Sequence, residues 1–292
     1  MTQTSQSVRD PVATDAPPAI PDVDVTRRIE ETLSGAVLSM AAANVIMQLA
    51  QLPVGRGVAE SRVDSGRLDL HPIKRGRTTL SYLVIALLGT EQEQAAMRSE
   101  VNRSHRGVRS RPEDPVAYNA FDPDLQLWVA ACLYVGLAEF LERFHGPAGD
   151  AFDDAFYQHC ARLGTTLQVP AERWPADREA FREFWDAGVQ RIEMDDVTRG
   201  YLRDLAGLGF LPAPVSWVLG PLHRFVTAGF LPPRFREELG LPWSARRERV
   251  FEAGVRVVAA VNRLLPRPIR RFPYNVYARD VRRRIREGRP IV

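Results

Sequence analysis

The chain has 292 residues, 45% of them hydrophobic, and a formal net charge of +3. That composition excludes a disordered protein and suffices for one large or two small domains with a sizeable core. Arginine carries the positive charge, Lys74 being the one lysine. The two cysteines, Cys132 and Cys160, lie in apolar sequence, which argues against a disulfide framework and for a reducing compartment.

Residues 1–24 are polar, acidic and proline-rich and are expected to be disordered, with no charged-then-apolar leader among them. Thr26 is placed to cap a helix running to about Leu52, which Pro53, Gly55 and Gly57 are expected to end. Pro72 suits the first turn of the next helix. Gly89 and Thr90 make a turn into a helix over 91–109. Asp122 and Pro123 start the most apolar helix, over 124–144. Its run from Leu125 to Leu141 is interrupted by Gln126 and Glu139, so it reads as a buried central helix rather than a membrane span. Further helices are predicted over 150–163, 176–190, 195–207, 215–228 and 244–264. Period-two alternation is nearly absent and no internal repeat is found. The prediction is an all-α protein: one helical domain over 25–265, then a proline- and arginine-rich C-terminal extension over 266–292.

Two stretches carry more than core-forming information. In "HPIKRGRTTLSYLVIAL", Leu80, Leu83, Val84 and Leu87 form one helical row, while Arg75, Thr78, Thr79 and Tyr82 form another. A cation, two hydroxyls and a phenol in line on so apolar a helix are either surface or the lining of a polar spot in an apolar cavity. In "EQEQAAMRSEVNRSHRGVRS", Met97, Val101, His105 and Val108 share a face, so His105 completes an apolar stripe. A buried imidazole needs partners for its nitrogens: a carbonyl in the commoner case, a metal or haem iron in the sharper one.

Other motifs are weak. There is no Cys-x-x-Cys, His-Glu-x-x-His, glycine-rich phosphate loop or Gly-x-Ser-x-Gly elbow. The acidic pairs Asp153/Asp154 and Asp195/Asp196 invite comparison with the magnesium-binding aspartates of terpene synthases. The first lacks a third acid and no second box is visible, so both read better as helix N-terminal acids. The basic tail carries no recognition helix or stacking module, so nucleic acid is not expected. It is compatible with peripheral contact with an anionic membrane surface.

The succession "NVIMQLAQLPVGRGVAES", "HPIKRGRTTLSYLVIALLG", "VNRSHRGVRS", "YNAFDPDLQLWVAACL" and "TAGFLPPRFREELGLPWS" resembles the MpaB-type oxygenases and rubber oxygenases over roughly residues 30–265. The resemblance implies a globin-like helical core holding haem b, with His105 as iron ligand and Arg75, Thr78 and Thr79 on the distal side. A glutamate base of the rubber enzymes falls near Glu60. It further implies oxidative C=C cleavage, with O₂, of an apolar, isoprenoid-type substrate. The expected location is cytoplasmic, with peripheral membrane association through the tail. Thr78 departs from the family's lysine, and Gln51 and Ala130 stand where histidines occur. A haem- or lipid-binding protein without turnover, or a haem-free helical interaction protein, are the alternatives.

Overall fold

The computed structural model describes residues 22–61, 71–147 and 149–291. Its helices, in chain order, are α1 (Asp22–Thr32), α2 (Ala41–Leu49), α3 (Leu52–Ala59), α4 (Pro72–Leu88), α5 (Glu91–His105), α6 (Pro123–His145), α7 (Asp150–Cys160) and α8 (Arg162–Thr165). They continue with α9 (Arg178–Gln190), α10 (Asp196–Ala206), α11 (Ala213–Phe230), α12 (Pro233–Leu239), α13 (Ala245–Leu264), α14 (Arg267–Arg270) and α15 (Tyr274–Arg286). A 3-10 helix spans Gly35–Met40 between α1 and α2. Among the described residues there is no β-strand, only an isolated antiparallel bridge between Arg109 and Asn119. The fold is all-α.

Several helix starts follow from short-range chemistry. Thr90 and Glu93 form a reciprocal capping box at α5, and the Asp122 carboxylate accepts from the amides of Asp124 and Leu125 at α6. The helix expected over 26–52 is instead three pieces. Ser34 accepts from Ala36 N–H and caps the 3-10 helix, which breaks the run. Pro53 opens α3 rather than ending the preceding helix, because its fixed φ and missing N–H suit a first turn. Gly55 and Gly57 then lie inside α3, buried, where a Cβ would press on Leu49 and Thr198 at the first and on the Tyr118 ring at the second. Asp22–Asp24, expected in the disordered tail, begin α1; residues 1–21 lie outside the described residues. Residues 274–286, within the basic extension, form a helix that had no predicted counterpart.

α6 is the axis of the packing. It is long and apolar enough to cross a bilayer, yet 61% of its most apolar window is buried within the protein. Leu127, Ala131, Tyr134 and Leu137 belong to a core shared with α1, α4, α7 and α15. Trp128, Cys132, Phe140 and Phe144 belong to a second core shared with α2, α10, α11 and α13. The C-terminal half of α4, Ser81–Leu87, is buried on every side. Its end is fastened by α7 and α8. Arg162 donates to the carbonyls of Leu87 (3.1 Å) and Gly89 (3.0 Å), and His159 Nε2 lies 2.7 Å from the Leu87 carbonyl. These otherwise orphaned carbonyls at the negative end of the helix dipole thus meet a cation. The buried Tyr82 hydroxyl donates to Leu163 O at 2.6 Å.

Candidate functional site

α4 emerges from the core toward its N-terminus, so exposure changes along its axis more than around it. Arg75 and Thr78 are half-buried, Thr79 is exposed, and Tyr82 is buried one turn deeper. The polar row therefore does not line one pocket along its whole length. Thr78 Oγ1 donates to Lys74 O at 2.9 Å, which commits its proton to its own helix. Tyr82 is part of the core, and burial raises its pKa above the ordinary phenol value.

Arg75 and His105 lie within electrostatic reach of each other. Burial, and after it the Arg75 charge, lowers the basicity of His105, whose pKa falls to about 4. Burial also lowers the pKa of Arg75, opposed by Tyr201 on α10. Arg75 has no carboxylate partner among the described residues, an expensive arrangement for a desolvated cation. At neutral pH His105 is a neutral imidazole. Its Nδ1 is buried and meets no hydrogen-bond partner. The Phe121 ring stands edge-on to it, with centroids 6.3 Å apart. The helix expected to reach residue 109 ends at His105, so the imidazole closes the last turn of α5, and Val108 lies in the loop beyond.

That loop carries more than Phe121. Tyr118, Asn119 and Asp122 line an open pocket of about 340 Å³, bordered also by Pro53 of α3 and Leu125 of α6 and by neither Arg75 nor His105. A second cavity, of about 450 Å³, lies between α6 and the α11–α12 junction, bordered by Glu139, Arg143 and Phe230. Arg143 bridges Glu139 (2.9 Å) and Glu252 (2.5 Å) there, and no residue of the Arg75–His105 group lines it.

The other histidines are differently placed. His159 and His223 each face a backbone carbonyl, Leu87 O and Ala206 O, and His71 is exposed at the N-cap of α4. His145 also has a buried nitrogen without a partner, Nε2, but its Nδ1 lies 3.6 Å from the Glu31 carboxylate.

Glu60 follows α3 and is 41% exposed; its carboxylate accepts from Arg56. Arg56 also donates to Asp195 at 2.5 Å. Asp195 is the N-cap of α10, accepting the Thr198 amide at 2.9 Å, so this acid serves a helix start and an ion pair. Asp153 and Asp154, the fourth and fifth residues of α7, pair with Arg178. Among the described residues no group of three or more His, Cys, Asp or Glu is placed to share a metal ion.

One neighbour of Arg75 has no signal in the sequence. Tyr201 sits in "MDDVTRGY", a stretch read only for its acids, and nothing local in it points to α4. Gln51, noted as a departure, is buried with its Nε2 unpartnered at the N-cap of α3, and Thr198 Oγ1 behind α3 is likewise unpartnered. Sequence periodicity does not distinguish a satisfied buried amide from an unsatisfied one.

Fold and site thus define an all-helical protein that carries a neutral histidine with one buried, unpartnered nitrogen and a half-buried arginine without a carboxylate partner. Residues 31–260 match the family described as ER-bound oxygenase mpaB/B'/Rubber oxygenase, catalytic domain, and the chain belongs to that family of oxygenase catalytic domains. It is 49% identical over 253 residues to an uncharacterized protein of Mycobacterium tuberculosis and, to the same extent, to one of Mycobacterium bovis. Each alignment covers 87% of this chain and 99% of the relative. No solved structure matches.

Proposed function

We propose that this protein is a haem b-dependent oxygenase that cleaves a C=C bond of an apolar, isoprenoid-type substrate with O₂. The observation that carries the reading is the joint placement of His105 and Arg75 within a family of oxygenase catalytic domains. A buried imidazole nitrogen without a protein partner, on a ring that is neutral at physiological pH, fits a metal-bearing group. A desolvated guanidinium without a carboxylate fits an anionic substituent such as a haem propionate. In this reading His105 would hold the iron and Arg75 would pair with a propionate.

When bound, haem supplies the activation of O₂ that amino-acid side chains do not provide. The chain's own contribution is to keep His105 unprotonated, to neutralise buried negative charge through Arg75, and to exclude water. Thr79, exposed one turn beyond Arg75, is assigned to the open side where substrate and O₂ enter. Glu60 is held by Arg56 and faces solvent, and is given no proton-transfer role.

The test is the absorption spectrum of protein expressed with haem precursor, with oxygen uptake on an isoprenoid alkene. A Soret band that His105→Ala abolishes and both His145→Ala and His223→Ala retain supports the assignment. No Soret band in folded, helical wild-type protein refutes it, as does a band that survives His105→Ala. A second reading, a haem- or lipid-binding protein without turnover, is favoured by Thr78, whose hydroxyl is turned to its own helix. Haem binding without oxygen uptake selects it.

A further inference from the structure

The N-terminal half of α11 stands clear of the core: Trp217 is 78% exposed and Leu222 63%. On α13, Val257, Val261 and Leu264 form an exposed apolar stripe beside the buried stripe of Phe251, Val255 and Ala259. Ile269 of α14, at 59% exposure, continues it. The elements that carry these residues are neighbours. α11 packs against α13, and the 3-10 helix Gly35–Met40 touches α11, α13 and α14, with its own Leu38 exposed among them. Apolar surface of this extent on one side of a water-soluble fold marks a place where something binds.

The charges around it identify what binds. Residues 205–236 and 253–279, which supply α11 and most of α13 and α14, contain no aspartate or glutamate. The second segment alone carries six arginines: Arg256, Arg263, Arg267, Arg270, Arg271 and Arg279. Arg267 and Arg271 reach Glu30 on α1, and Arg263 donates to the Phe144 carbonyl. Arg256 and Arg270 have no ion pair among the described residues, and on α11 neither has Arg224. If a second copy docked its same face here, arginine would meet arginine with no carboxylate in either segment to offset it. An anionic headgroup layer offers those cations counter-charges, while an exposed tryptophan and branched aliphatics enter the acyl boundary.

We propose that this face, the N-terminal half of α11 with the C-terminal half of α13 and α14, docks the protein on an anionic lipid surface. The inference does not rest on the oxygenase reading. It also locates the part of the basic extension that faces the membrane. Ile269 and Arg270 belong to the docking face, whereas α15 packs against α4 and pairs cations within the protein, Arg282 with Glu93 and Arg284 with Asp280.

The experiment is co-sedimentation of the full chain with vesicles of phosphatidylcholine alone and of phosphatidylcholine with one part in three phosphatidylglycerol. Binding should be confined to the anionic vesicles. Raising salt severalfold should weaken it, because surface charges are screened over about 10 Å at 0.1 M and less above that. Trp217→Glu with Leu222→Glu, and separately Arg256→Glu with Arg270→Glu, should each reduce partitioning about tenfold or more. Ile73→Glu, an exposed apolar position on α4, which packs against α1, α5, α8 and α15, should leave it unchanged. Trp217, Leu222, Arg256 and Ile73 are exposed and Arg270 is half-buried, and unchanged circular dichroism verifies that each variant is folded. Failure of the wild type to bind anionic vesicles overturns the proposal, as does binding that both double variants retain. A lipid-independent dimer that Trp217→Glu dissociates, in protein that ignores vesicles, also overturns it and makes the occupant a second copy.

Discussion

Asp195 has two roles that two substitutions separate. One oxygen accepts the Thr198 amide and caps α10; the other accepts Arg56, whose side chain is only 14% exposed. Replacing an N-cap by alanine costs about 1 kcal/mol, within a range of 0.5–2. An ion pair this well covered contributes about 1 kcal/mol, at the upper end for pairs open to water, and Arg56 keeps Glu60 when Asp195 is lost. Asparagine caps as well as aspartate but carries no charge, so Asp195→Asn should lose about 1 kcal/mol and Asp195→Ala about 2. Asp196→Ala, one residue on and fully exposed, should lie within about 0.5 kcal/mol of wild type.

The assay is urea unfolding, read as a shift in midpoint at unchanged slope. The pH dependence supplies an independent check. Burial opposes ionisation of Asp195, but its bonds to the Thr198 amide and the Arg56 guanidinium outweigh burial and hold the carboxyl below the ordinary range. The folded pKa is the lower one, so the charge contribution is full at neutral pH and is lost only as pH falls below about 4. Wild type and Asp195→Asn should therefore differ by a constant amount between about pH 5 and 8 and converge in acid. Asparagine as damaging as alanine would refute the capping contribution. Both variants indistinguishable from Asp196→Ala would refute the whole account.

Gly188→Ala places a methyl group against the Trp128 ring, which stacks on Trp185 with centroids 5.1 Å apart; overpacking should cost about 1–3 kcal/mol by the same assay. Tyr82→Phe leaves the Leu163 carbonyl without its donor in the core and should cost about 1–2 kcal/mol. Cys132 and Cys160 are buried, and burial raises both thiol pKa values, so a thiol reagent should react with neither in the native protein and with both in denaturant. Fast labelling of either under native conditions would contradict the packing around α6 and α7.

Helix starts were legible where one side chain caps them: Thr90 at α5 and Asp122 at α6 announce themselves in the sequence. The breaks at Ser34 and Gln51 did not, because the apolar periodicity runs through them and a proline that ends one helix serves equally to begin the next. α15 was obscured by its arginines. Its buried residues Tyr274, Ala278 and Val281 keep the spacing of one face, but charge density made the segment read as solvated. At the site, His105 was legible from its stripe and Arg75 from its row. The exposure of Thr79 was not, since periodicity reports direction around a helix and not how far along its axis the core extends. Tyr201 joins them only through the packing of α10, a long-range event that leaves no local trace.

α6 faces one core through Leu127, Ala131 and Leu137 and the other through Trp128, Cys132 and Phe140. A one-residue insertion near its start would turn every later side chain by about 100° and present each core with residues selected for a different environment. Neither half of the protein could absorb that change by itself. Length variation among proteins of this architecture should therefore collect in the connections that flank α6 and be purged from within it, so that the helix acts as the ruler against which the rest of the chain is free to drift.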